Sequence, residues 1–138
     1  GVWPEALVEP ATRLAINCHS CVNAATQFAG IEALTGPQEP VDAMVAAFDE
    51  RRRVIISELN QLAGVRCAEP GGAFYAFANI SGTGQDARTL QDRFLAEAGV
   101  ATVAGTSFGA FGEGYLRFSY ANSVENIRAA LDRIRGCL

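Results

Sequence analysis

The sequence contains no lysine. All eleven basic residues of the 138-residue chain are arginines. Chemistry that needs a side-chain amine is therefore outside its reach, and the amine of Gly1 is the only primary one. Charge of either sign is sparse, at 19% of residues against the roughly 25% usual for globular proteins. A domain of this size has to cover its own surface, so scarce charge points either to a face normally covered by other protein or to a compact, highly buried fold. With a net charge of −4 and no basic stripe beyond Arg51-Arg52-Arg53, the chain is not suited to nucleic acid. That triple fits the solvent face of a helix. No apolar run approaches the ~20 residues of a membrane span, and no charged leader precedes a cleavage site. The expectation is a soluble, cytoplasmic protein with no nucleic-acid or membrane partner.

Histidine occurs once, at His19, which leaves no Ser/His/Asp or Cys/His nucleophile system. Cysteine occurs four times, at positions 18, 21, 67 and 137. Only Cys18-His19-Ser20-Cys21 has suggestive spacing, as a redox pair or as half of a zinc site. Zinc needs a second pair of ligands, and Cys67 and Cys137 do not supply a CxxC. The expectation is four small buried thiols and no metal. Ser81-Gly82-Thr83-Gly84 does not extend into a phosphate-cradling GxGxxG, because Ala87 stands in the third glycine's place.

Periodicity supplies the elements. Pro4 suits the first turn of a short helix, and Pro10 is expected to keep residues 4–15 from forming one clean run. Asn17 to Cys21 reads as a polar lead-in. Asn23 or Ser20 caps a helix that Gly36-Pro37 stops near Leu34. From Val41, apolar residues recur at helical spacing through Met44, Val45, Phe48, Ile55, Leu59 and Leu62. They predict a long amphipathic helix of roughly six turns closed by Gly64. Short strands are predicted at residues 65–67, 73–77, 100–103 and 115–120, with helices at 86–98 and 123–135. Residues 105–114 hold four glycines, a loop of unusual backbone freedom. The fold class is α/β, a small sheet packed on helices.

Arg117 is the residue most suggestive of function. It lies in Gly112 to Ala121, at the centre of an alternating apolar strand. There a fixed cation is costly unless an anion meets it. Arginine's planar fork suits a carboxylate. The pleat puts Tyr115, Arg117 and Ser119 on one face and Leu116, Phe118 and Tyr120 on the other. The alternative is a structural arginine paired with a local carboxylate such as Glu113. Tyr75 and Phe108 are expected to be core or cleft-wall aromatics rather than catalytic groups.

Three stretches in series carry a resemblance: Glu69-Pro70-Gly71-Gly72-Ala73-Phe74-Tyr75, then residues 99–109 (GVATVAGTSFG), then Leu116-Arg117-Phe118-Ser119-Tyr120-Ala121 before a terminal helix. Together they resemble the carboxyl-terminal small domain of the fold-type I pyridoxal-phosphate (PLP) aminotransferases. Residues 17–34, with Gln27 in the matching place, are similar to that family's dimer-interface helix. Two departures stand out. Ala104 replaces the usual proline, and Cys18, His19 and Cys21 replace the commoner hydroxyls.

The resemblance implies an interface-type helical segment at residues 1–38 and the small domain at 39–138. It also implies a homodimer acting on α-amino acids and 2-oxo acids, with acidic, aromatic or similar side chains. Arg117 would grip the substrate's α-carboxylate. PLP would be held mainly by another domain, which carries the Schiff-base lysine and a phosphate-binding arginine, so this chain alone should be inactive. Other fold-type I enzymes, such as decarboxylases and carbon–sulfur lyases, share the pattern. The alternatives from other classes are a thiol-redox or metal module on Cys18 and Cys21, and a non-catalytic carboxylate-binding or interaction domain.

Overall fold

The computed structural model describes residues 2–138; Gly1 and its amine lie outside the described residues. The chain divides into two compact units, residues 1–40 and 41–138.

The first unit holds two helices, α1 (Glu5–His19) and α2 (Ala24–Thr35). Contrary to expectation, α1 runs straight through Pro10. The ring removes one bond, to the carbonyl of Ala6. Ala6 is exposed, so water can take the place of the missing donor and the helix survives. The expected polar lead-in is also helical as far as His19, and the chain reverses at Ser20, whose φ is 63°. Asn23 is the cap of α2; its side chain accepts from the backbone N–H of Thr26 at 3.0 Å. No residue of either helix is buried. That corrects the expectation for two thiols: Cys18 and Cys21 are exposed, while Cys67 and Cys137 are buried.

The second unit is built on α3 (Glu39–Leu59), which begins at the boundary and ends five residues before the glycine expected to close it. Beyond Leu59 a tight turn follows, in which the N–H of Leu62 donates to the Leu59 carbonyl at 3.1 Å. Three strands follow: β1 (Tyr75–Asn79), β2 (Val103–Ala104) and β3 (Tyr115–Ser119). They form one antiparallel sheet in the order β1-β3-β2. Between β1 and β2 lies α4 (Ala87–Arg93), continued by a wider π-helical turn over Phe94–Ala98. The last element is α5 (Val124–Arg135), capped by Ser123. The candidate strand at residues 65–67 is reduced to a single bridge, Arg66 to Asn79. The strand expected from Val100 keeps only its last residue and adds Ala104.

The sheet has one covered face and one open face. Ala76 and Ala78 of β1, Ala104 of β2 and Leu116 and Phe118 of β3 are buried. They join Ile55 and Leu59 of α3, Leu90 and Phe94 from α4 and its extension, and Ile127, Leu131 and Ile134 of α5 in one core. Burial alternates strictly along β1 and β3, so the residues between these project from the other face. Tyr120, just past β3, is buried; its hydroxyl donates to the carbonyl of Ala73 at 2.9 Å.

Candidate carboxylate site

Arg117 stands in the middle of the open face. It is half-buried, and on β3, the central strand, it pairs with Phe77 on one side and Val103 on the other. Four aromatic rings surround this point. Phe77 lies nearly parallel to Tyr115, with centroids 5.0 Å apart and planes at 6°. Phe108, on the turn after β2, meets Phe77 edge-on at 6.3 Å. The guanidinium carbon of Arg117 lies over the Tyr75 ring at 4.3 Å and over the Phe108 ring at 4.7 Å. Contacts of this kind hold a cation by the ring quadrupole.

Among the described residues no anion meets this cation. Arg117 takes part in none of the ion pairs among the described residues. Glu113, the local carboxylate that could have explained it, is used elsewhere. Its Oε1 accepts from the backbone N–H of Ala87 at 3.0 Å and from that of Gly114 at 3.0 Å, tying the start of α4 to the loop before β3. Compare Arg52 on α3, which pairs with Asp49 at 2.6 Å and also with Glu69. Arg52 is a structural arginine with two carboxylates; Arg117 has the donors and no acceptor.

The loop that carries Phe108 is held by backbone packing. Gly105 and Gly112 are both buried, and each faces the other's carbonyl so closely that a Cβ on either would overlap it. Two short 3₁₀ turns, Gly105–Phe108 and Ala110–Gly112, are thus stacked against one another. The sequence marked this stretch as merely glycine-rich. It also treated Tyr75 and Phe108 as wall aromatics; their place beside Arg117 was legible only in part. Tyr75 is a diagonal neighbour of Arg117 once strand register is known. Phe108 is brought in by a loop whose path periodicity does not encode.

Among the described residues no group of three or more His, Cys, Asp or Glu side chains could hold a metal ion. No helix there is long and apolar enough to cross a membrane.

Several known aminotransferases are similar to this chain. An aspartate aminotransferase of Pyrococcus horikoshii is 38% identical over 139 residues, covering 99% of this chain and 36% of its own length. An LL-diaminopimelate aminotransferase of Desulforudis audaxviator is 38% identical over 131 residues, covering 95% of this chain and 33% of its own length. The crystal structure of an aromatic aminotransferase from Pyrococcus horikoshii superposes with a TM-score of 0.89 at 32% identity, covering 96% of this chain and 36% of that one. The chain matches the carboxyl-terminal domain of fold-type I aminotransferases. It spans about a third of the length of these relatives. The α/β expectation, a small sheet on helices, holds against these structures. No family model matches the chain.

Proposed function

We propose that the complete protein is a PLP-dependent aminotransferase, moving an amino group between an α-amino acid and a 2-oxo acid, and that Arg117 anchors the substrate's α-carboxylate. The observation that carries this reading is the unpaired Arg117 cation on the open sheet face. The relatives are named for aspartate, LL-diaminopimelate and aromatic substrates. Those side chains differ widely, but all the molecules carry an α-amino carboxylate. A bidentate guanidinium would serve every one of them. Acidic or aromatic side chains are proposed for this protein's own substrates.

The donor set of this chain does not fit covalent attachment of the cofactor, since the sequence holds no lysine. When bound, PLP supplies an electron sink for carbanion chemistry at Cα. The part we assign to this domain is orientation. Two parallel N–H bonds to the α-carboxylate would fix its plane and, with the amino end held as well, limit the directions in which the Cα–H bond can point. Such pre-ordering lowers the entropic part of the barrier. Residues 39–138 would act as the small domain. Residues 1–38 would form an interface segment of a homodimer, a reading supported by exposed Trp3, Leu14, Phe28, Ile31 and Leu34. Alone, this chain would be inactive.

Replacing Arg117 with alanine in the complete protein tests the assignment. Hydrogen bonds to a charged group are each worth about 1.5–3 kcal/mol, so kcat/KM for amino acids should fall tenfold or more while PLP stays bound. Lysine at 117 should rescue only partly, because it keeps the charge and loses the fork. Unchanged kcat/KM in the alanine variant would end the carboxylate-anchor reading.

A further inference from the structure

We propose that Tyr75 and Phe108 are positioning residues acting through Arg117. Their rings hold the guanidinium so that its in-plane N–H edge is free for the incoming carboxylate, and this sets the preference for substrates with a free carboxyl group. The inference rests on the role given to Arg117 above.

The geometry points this way for three reasons. First, a guanidinium's donors all lie in its plane, whereas its attraction to a ring acts through the face. With its carbon over two rings, at 4.3 Å and 4.7 Å, Arg117 is held without consuming the donors that a carboxylate needs. A salt bridge such as the one Arg52 makes with Asp49 would fix the side chain equally well but would occupy that edge. Second, a free arginine side chain is among the most flexible, and ordering it on binding weakens affinity. Two rings already in place remove much of that loss before the substrate arrives.

Third, the rings are themselves braced. Phe108 rests edge-on against Phe77, and Phe77 lies stacked on Tyr115. The turn bearing Phe108 is fixed by the Gly105–Gly112 contact. Packing in the core does not account for Phe108, which is 54% exposed. Its ring instead lies between Phe77 and the Arg117 cation.

The test uses the complete protein and a panel of L-alanine, L-aspartate and L-phenylalanine with their α-amides. The readout is the ratio of kcat/KM for the best amino acid to that for its amide. Tyr75→Leu and Phe108→Leu should each lower the ratio about three- to fivefold, the size of one cation–π contact at a partly exposed site. The loss should lie chiefly in KM for the amino acid rather than in kcat. Tyr75→Phe and Phe108→Tyr, which keep a ring, should restore it. In an Arg117→Ala background, where the ratio is already collapsed, the leucine changes should lower it no further.

Leucine variants with the parent ratio would overturn the proposal, even if overall activity fell, since that marks a merely structural role. So would an equal loss in the Arg117→Ala background. If Arg117→Ala itself kept the parent ratio, the carboxylate-anchor reading would fall first and this one with it.

Discussion

Ala73 shows how a single residue can be held in a conformation it does not favour. Its φ is 60°, the left-handed region, which costs an L-residue with a Cβ roughly 1–2 kcal/mol. Its carbonyl accepts from the buried Tyr120 hydroxyl, and the carbonyl of its neighbour Phe74 accepts from the Tyr120 N–H at 3.0 Å. These two bonds hold the entry to β1 in place. Ala73→Gly should therefore stabilise the protein, against the usual sense of that change. The relief of strain is partly offset by the freer unfolded chain, leaving a gain of about 0.5–1 kcal/mol. Denaturant melts of the two proteins check this; a loss of stability would mean that the left-handed conformation is not populated. Nothing local marks this residue, because Gly71 and Gly72 just before it have the composition of the flexible positions. Arg117 was legible from the sequence, since a cation in an apolar alternation demands an explanation. Its partners were not, because cross-strand neighbours depend on register.

Elements differ in how well local rules define them. The caps of α2, α4 and α5, at Asn23, Asp86 and Ser123, all follow from side-chain chemistry that the sequence displays. Strand lengths do not, because a strand ends where its partner leaves it; hence β2 shrinks to two residues. Three carboxylates, two at helix starts and one in mid-helix, contribute to the response to acid. Hydrogen bonding from Thr89 holds the Asp86 carboxyl below the usual range, and the hydrogen bond from Arg52 does the same for Asp49. Glu125, in the first turn of α5, is lowered chiefly by its own backbone N–H. Folded values below unfolded ones mean that the stabilisation is complete above the ordinary carboxylate range, near pH 4, and is lost as pH falls through and below it. Thermal melts should thus be flat from about pH 6 to 8 and drop below about pH 4. Asp86→Asn keeps an acceptor for the cap and removes the titration, so it should make the drop shallower. An equally steep drop in that variant would show that Asp86 does not contribute to it.

Across the whole molecule, apolar surface is distributed unevenly. Unit 41–138 has a continuous core, whereas unit 1–40 contains no buried residue in its helices and exposes Trp3, Leu14, Ile16, Phe28, Ile31 and Leu34. Low charge content is compatible with a covered face, and these exposed side chains are the apolar surface such a face would use. Patches of this kind commonly mark partner surfaces. The complete protein should sediment as a dimer, and Phe28→Glu with Ile31→Glu should shift it towards monomer. A monomer in the unaltered protein, or a dimer indifferent to both changes, would place the interface elsewhere.

Four glycines that look alike on paper face very different constraints on sequence drift. Gly71 and Gly72 have open space around a hypothetical Cβ, whereas Gly105 and Gly112 are pressed against each other's backbone. In a library that randomises each codon and selects for folded protein, the first pair should accept many residues. Codons 105 and 112 should return glycine almost alone. Nor should a change at one be repaired by a change at the other, because there is no side chain on either to shorten. That mutual veto makes the loop a fixed point of the gene, around which neighbouring codons remain free to vary.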